Sequence, residues 1–258
     1  MAETALERLA RAIEATVRAE HAPTPRGAPF LALDHPSGTA LELLAALAAH
    51  GIFRKYERVL ELGTGLGAAA RWIAARLGCD VLGVATDSGG ARAATLLTRR
   101  ARLGAQVRTV AARLEALPVR AGHFTHVWAV ESLAAADDPE AALREALRAL
   151  RPGGTLALQE LLPVGETGRA PAGRRLWSAA DWARVVRAAG FADVVVRDHT
   201  ADAREGSARL AAARARLDER LAAGGDAGVA ALAAARTALA SALAAGRLGV
   251  AQIVATRP

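Results

Sequence analysis

Arg58-Val59-Leu60-Glu61-Leu62-Gly63-Thr64-Gly65-Leu66-Gly67 decides the fold. The run from Arg58 to Leu62 reads as a strand, the glycines as a tight turn, and Ala68 to Leu77 as the helix that follows. The same alternation continues outward. Asp80 to Val84 is the next strand and Ala91 to Leu103 the next helix, with strands at Gln106–Val110 and Thr125–Val130 after them. Pro139 to Leu150 is a helix, with Asp137 and Asp138 as its candidate caps. Thr155–Gln159 is a fifth strand, Ala179–Ala189 a helix, Phe191–Arg197 a sixth strand, and Gly249–Thr256 a seventh. Strands alternating with helices predict an α/β protein whose doubly wound, Rossmann-like, mostly parallel seven-stranded sheet is covered on both faces.

Two stretches stand outside that alternation. Residues 4–20 make an amphipathic helix with Leu6, Leu9, Ile13 and Val17 at helical spacing. Residues 203–245 are rich in Ala, Arg and Leu, and read as a helical insert before the last strand. Ala-rich helices need a partner to bury against, so this insert is expected to be a cap or an oligomer surface. The expectation is one domain over residues 1–258, with the helices of residues 1–50 lying over a cleft.

Composition bounds the function. The 258 residues are 52% hydrophobic and 23% charged, a globular balance. The one cysteine, Cys79, excludes an intramolecular disulfide framework and a multi-cysteine zinc site, and suits a cytoplasmic protein. No secretory signal follows Met1. Val229 to Gly246 is weakly polar but carries Arg236, and is not read as membrane-spanning. The net charge of +7 comes from arginines dispersed along helices; Lys55 is the only lysine, and aromatics are 3%. Nucleic-acid binding calls for basic residues interleaved with aromatics, so none is expected.

Gly63, Gly65 and Ala68 also fit the dinucleotide pattern, and a nicotinamide enzyme has to be weighed. Glu61, two residues before the first glycine, stands where dinucleotide folds usually continue an apolar strand. Leu150-Arg151-Pro152-Gly153-Gly154-Thr155-Leu156 then ends a helix with a tight turn into a strand. Together these residues resemble the class I S-adenosylmethionine (SAM) methyltransferases of the small-molecule type. Glu115-Ala116-Leu117-Pro118, Phe124-Thr125-His126-Val127-Trp128 and Ala189-Gly190-Phe191 extend the resemblance. Asp34-His35-Pro36-Ser37-Gly38 and Leu66-Gly67-Ala68-Ala69-Ala70-Arg71-Trp72 are similar to the sterol, tocopherol and methylated-glycine branch. The resemblance covers roughly residues 30–200 and the last strand.

The resemblance implies SAM as cofactor, held by Glu61, Gly63, Thr64, Gly65 and Gly67, with Asp87 and Leu114 as weaker candidates. The chain departs from the family at three places. Ala85 stands where an acid usually binds the ribose hydroxyls, Arg113 where an aspartate lies beside the adenine, and Thr125 where a third acid follows a phenylalanine. Loss of a charged acceptor for the sugar weakens binding by roughly 1.5–3 kcal/mol, about one to two decades.

Methyl transfer is mainly alignment, and a base is needed only for a protonated nucleophile. Glu131, at the carboxyl end of the fourth strand, is a candidate base or amine orienter, with helix capping beside Ser132 as the alternative. His35 is a second candidate base. His123 and His126 flank Phe124, and packing is their expected role; His199 follows the sixth strand. Trp177 and Trp182 are read as core. No His/Asp/Glu set has metal-ligand spacing. The expected activity is methyl transfer to a small-molecule metabolite, in a homodimer or in a heteromer with a paralogous methyltransferase. The alternative is a methyltransferase fold that no longer methylates, either as a non-catalytic partner subunit or as an enzyme repurposed for a reaction such as cyclisation.

Overall fold

A computed structural model of the chain describes residues 2–20, 30, 33–35, 41–164 and 176–258. Its sheet is built from β1 (Arg58–Leu62), β2 (Asp80–Ala85), β3 (Val107–Ala111), β4 (Phe124–Val130), β5 (Leu150–Pro163), β6 (Ala192–Asp198) and β7 (Leu248–Thr256). The strand order is β3-β2-β1-β4-β5-β7-β6, and β7 runs antiparallel to both neighbours. The helices are α1 (Ala5–Glu20), α2 (Leu41–Ala48), α3 (Ala68–Leu77), α4 (Ser88–Arg100), α5 (Pro139–Ala149), α6 (Ala179–Ala188), α7 (Thr200–Arg209), α8 (Ala211–Ala223) and α9 (Ala227–Ala244). Chain order reverses between β1 and β4, so the crevice for a ligand opens at their carboxyl ends.

Every residue of β4 is buried, as expected for the centre of a sheet covered on both faces. One apolar layer packs Val127, Ala129, Leu156 and Leu158 against Leu143 and Trp182. The other packs Val59, Val81 and Trp128 against Trp72, Ile73 and Leu47. Local chemistry fixes the helix starts. Asp138 Oδ1 accepts from Ala141 N at 3.0 Å with Pro139 at the first turn of α5, so of the two candidate caps Asp138 is the one used. Ser178 and Asp181 form a reciprocal capping box at α6.

Some boundaries differ from the sequence reading. β5 begins at Leu150, not Thr155, because Gly153 N donates to Arg257 O and Arg257 N to Gly154 O, each at 2.9 Å, which carries the glycine turn into the sheet. β6 shifts by one residue, to Ala192–Asp198, where Asp193 has φ +51 and the pairing with β7 changes register.

The stretch from residue 200 to 244 is three helices. α8 and α9 send Ala213, Leu217, Leu221, Val229 and Ala233 into a cluster with Leu9 and Ile13 of α1 and Leu97 of α4. α9 is long and apolar enough to cross a membrane by length and composition. Its Val229, Ala233, Arg236, Leu239, Ala242 and Leu243 are buried against the rest of the chain. Pro36-Ser37-Gly38, from the resemblance described above, lies outside the described residues.

Candidate functional site

The loop after β1 supplies the floor of the crevice. Thr64 N donates to Val84 O at 2.9 Å and Gly67 N to Thr64 O at 2.7 Å, which coils the chain into α3. Gly63 has φ +65, and a Cβ there would fall on the Ser132 side chain. Gly65 has φ +54, and a Cβ there would meet nothing within 4 Å. The first glycine lets the loops after β1 and β4 touch; the second is exposed, with open space over its backbone.

Glu61 is buried beneath this loop. Its Oε2 accepts from the Thr64 hydroxyl and from Ala70 N, the latter at 3.1 Å, fastening the loop to the first turn of α3. Burial raises its carboxyl to about 7, opposed by the Thr64 hydrogen bond, the charge of Arg71 and the Ala70 amide. The glycine cradle therefore contains a carboxyl whose pKa burial raises to about 7, and a cation brought beside it favours the anion.

Beyond β2 the acid stands off-register. Ala85 ends the strand and is buried, while Asp87 is exposed and its Oδ1 caps α4 by accepting from Gly90 N at 2.9 Å. Leu114 is buried in the apolar layer with Leu117 and Leu133. Arg113 is 66% exposed and pairs with Asp137 at 3.2 Å and Glu115 at 3.6 Å.

Glu131 follows β4 in a left-handed conformation, φ +53, and is buried. Such a backbone in a non-glycine residue costs on the order of 1–3 kcal/mol and needs its surroundings to hold it. Glu131 N donates to Gln159 O at 2.6 Å, and Gln159 Nε2 donates to Glu131 Oε1 at 3.3 Å. The capping alternative for Glu131 is taken by another residue. Glu160 Oε1 accepts from Ser132 N at 3.1 Å and Leu133 N at 2.8 Å, while Ser132 Oγ donates to Leu62 O at 2.6 Å.

His35 is buried within electrostatic reach of Glu131, Asp34, Arg236 and Arg214. Burial pushes its imidazole below the ordinary 6.5, with the two arginines adding to that and the two acids opposing it. Asp34 holds a buried ion pair with Arg71 of α3, which ties the 33–35 segment to the glycine loop. Arg236 of α9 donates to Leu33 O and is pushed down to about 10 by burial and by Arg214. Burial also lowers Arg214 of α8, against Asp218 and Glu131.

Sequence reasoning did not select Arg71, Arg214, Arg236, Gln159 or Gln252 as site residues. A signal existed for two of them. Arg214 is three and seven residues before Leu217 and Leu221, and Arg236 is seven and three after Val229 and Ala233, so each lies on its helix's buried stripe.

The remaining histidines lie elsewhere. His126 is in the amino half of β4, stacked on Phe53 at 4.0 Å, with its imidazole pushed down to about 4 by burial. His123 packs edge-on against Phe124, and His199 pairs through Nδ1 with Asp202 at 2.9 Å. Trp177 and Trp182 pack together at 4.8 Å, with Trp182 in the core. Among the described residues no group of three or more His, Cys, Asp or Glu is placed to hold a metal.

Residues 60–158 match the methyltransferase domain family. The chain is 30% identical over 138 residues to methyltransferase GfsG of Streptomyces halstedii, covering 50% of each. It spans about half the length of the curated relatives it matches. In fold it is similar to the [4+2]-cyclase SpnF, with a TM-score of 0.70 and 23% identity over 92% of this chain and 98% of that one. It is also similar to a phosphoethanolamine N-methyltransferase of Haemonchus contortus, solved with S-adenosylhomocysteine. There the TM-score is 0.69 at 19% identity, covering 84% of this chain and 52% of that one.

Proposed function

We propose that the protein is a SAM-dependent methyltransferase acting on a small-molecule metabolite. One observation carries the reading. At the crevice between β1 and β4, a left-handed glycine loop over the buried Glu61 lies beside a second buried carboxyl, Glu131, on a strained backbone. The residues present fit the amino-acid end of the cofactor. The open space over the Gly65 backbone admits a group against the main chain, and Glu61 gains by the approach of an ammonium. They fit the ribose less well, since Ala85 offers no acceptor and Asp87 already caps a helix.

Bound there, SAM would supply an electrophilic methyl group and a good leaving group. The chain's own part is positional. Gly63, Gly65 and Gly67 present backbone, and Glu61 holds the cationic end. Glu131 takes the proton released by a hydroxyl or ammonium acceptor. His35, kept neutral by burial, orients the acceptor or passes that proton to Glu131. The roof formed by α1, α8 and α9 keeps water from this chemistry.

A second reading rests on Ala85: a methyltransferase fold put to another reaction, such as the cyclisation named for SpnF. The non-catalytic partner reading called for a large exposed apolar patch on residues 203–245. Among the described residues, the large exposed hydrophobics are Ile52, Tyr56, Val164 and Val195, all outside that stretch. A cytoplasmic location, and a homodimer or a heteromer with a paralogous chain, remain part of the proposal; sedimentation velocity of the purified protein tests the latter.

Calorimetric titration with SAM and with S-adenosylhomocysteine tests the main reading. Dissociation constants in the micromolar range or below support it. No heat of binding with either ligand overturns it.

A further inference from the structure

Gln159 and Gln252 are buried glutamines on adjacent strands, β5 and β7, directly paired in register. Gln252 Nε2 donates to Leu43 O of α2 at 2.6 Å and to Gln159 Oε1 at 3.1 Å. Gln159 Nε2 then donates to Glu131 Oε1 at 3.3 Å. The direction of this chain follows from its far end. A backbone carbonyl accepts and never donates, so Gln252 must turn its NH2 toward Leu43 O. That NH2 has a second hydrogen, which fixes Gln159 with its carbonyl toward Gln252 and its NH2 toward Glu131. The series can therefore end only on an oxygen that accepts.

We infer that Gln252 and Gln159 are positioning residues that hold Glu131 as the proton acceptor of the reaction, fixing its Oε1 as a permanent hydrogen-bond acceptor. The inference rests on the methyltransferase reading only for the identity of that proton's source. The strand register puts Gln159 opposite both Val130 and Gln252, so strand pairing holds the two glutamines beside Glu131, the residue that follows β4. It also supplies what the left-handed backbone at Glu131 requires, since the main chain and the side chain of that residue are both bound to Gln159. Other groups face Glu131 as well. His35 comes from the segment before α2, Arg214 from α8, and Glu160 from β5 binds the two amides that follow it. His35 can change tautomer and imposes no direction, Arg214 can only donate and so agrees with Glu131 as the acceptor, and Glu160 is occupied as an acceptor of those two amides.

The test is carbon-13 NMR of protein labelled at glutamate side-chain carboxyls, with Glu131 assigned by its loss in Glu131→Gln. Removing a donor to an anion raises its pKa. Gln159→Leu should move the Glu131 midpoint upward by about one unit or more. Gln252→Leu should move it in the same direction by less, while S-adenosylhomocysteine affinity stays within about twofold of wild type. Where a leucine variant does not fold, the wild-type protein decides. The side-chain amide resonances of Gln159 and Gln252 should both shift through the same midpoint as the Glu131 carboxyl. Glutamine resonances that ignore the titration, or a midpoint unmoved in folded variants, overturn the inference. Failure of wild type to bind S-adenosylhomocysteine overturns the methyltransferase reading instead, and leaves the relay to be judged on the NMR alone.

Discussion

Glu61→Gln separates the two tasks of the carboxyl beneath the glycine loop. A glutamine oxygen can still accept from Ala70 N and the Thr64 hydroxyl, so the fastening of the loop survives. The titration does not. Glu61 rises from the ordinary 4.5 to about 7 in the folded chain, so the folded state binds its proton more tightly than the unfolded state does. Stability from this group is therefore fully present below pH 4.5, declines as pH rises toward 7, and is absent above that. A shift of about 2.5 units corresponds to about 3 kcal/mol at most. At pH 8 the glutamine variant should exceed wild type by up to that amount, and at pH 5 the gap should nearly close. For a chain of this length about 3 kcal/mol is roughly 6–12 °C in Tm.

Ligand binding should move the opposite way. An ammonium beside Glu61 favours the anion, so wild-type affinity for S-adenosylhomocysteine should strengthen from pH 6 to pH 8. The variant should bind more weakly and without that slope. Thermal melts of both proteins at pH 5 and pH 8, with calorimetric titrations at pH 6 and pH 8, give all four quantities. A stability gap equal at both pH values, or a variant less stable than wild type at pH 8, would refute the reasoning.

Ala85→Asp restores an acceptor at the end of β2 and should tighten S-adenosylhomocysteine binding by about one to two decades; unchanged calorimetric affinity means that no ribose lies there. Gly63→Ala drives a methyl into Ser132 at a left-handed backbone, and should lower stability by about 1–3 kcal/mol in urea unfolding while abolishing ligand binding. Asp34→Ala leaves Arg71 buried without its carboxylate and should cost about 3–5 kcal/mol, whereas the pair Asp34→Leu with Arg71→Met should recover most of it; equal losses in the single and double variants would contradict this.

The sheet was legible because its signals are local. Five residues of β1, three glycines and an alanine-rich helix fall within twenty positions, and each agrees with the next. The start of β5 was missed because it depends on Arg257, a hundred residues further on, pairing with the glycine turn. The candidate site divides in the same way. Glu61 and Glu131 could be picked out because a carboxylate at the carboxyl end of a buried strand is locally anomalous. Gln159 and Gln252 gave no such signal, since their meaning comes from a register across β5 and β7. Asp87 shows the limit of counting positions: two residues past β2 it is where a helix cap belongs, and it caps one.

The distribution of buried charge bears on the choice between the proposed catalytic crevice and an inert scaffold. Asp34, Glu61, Arg71, Glu131, Glu160, Arg214 and Arg236 are all buried. Asp34–Arg71 is a direct ion pair, and the other charges lie at the carboxyl ends of the central strands or on the helices above them. Each ion kept from water costs several kcal/mol before its partners repay it, and apolar residues of the same volume would serve a structural subunit as well or better. At the opposite end of β4 the chain follows the cheaper course: His126 is buried too, but is neutral and stacked on a phenylalanine. Two of the roof's charges, Arg214 and Arg236, come from the insert expected to be a cap or an oligomer surface, and they lie within electrostatic reach of Glu131 and His35. A non-catalytic partner has no need of that arrangement. The reaction proposed above, with Glu131 as its proton acceptor, does.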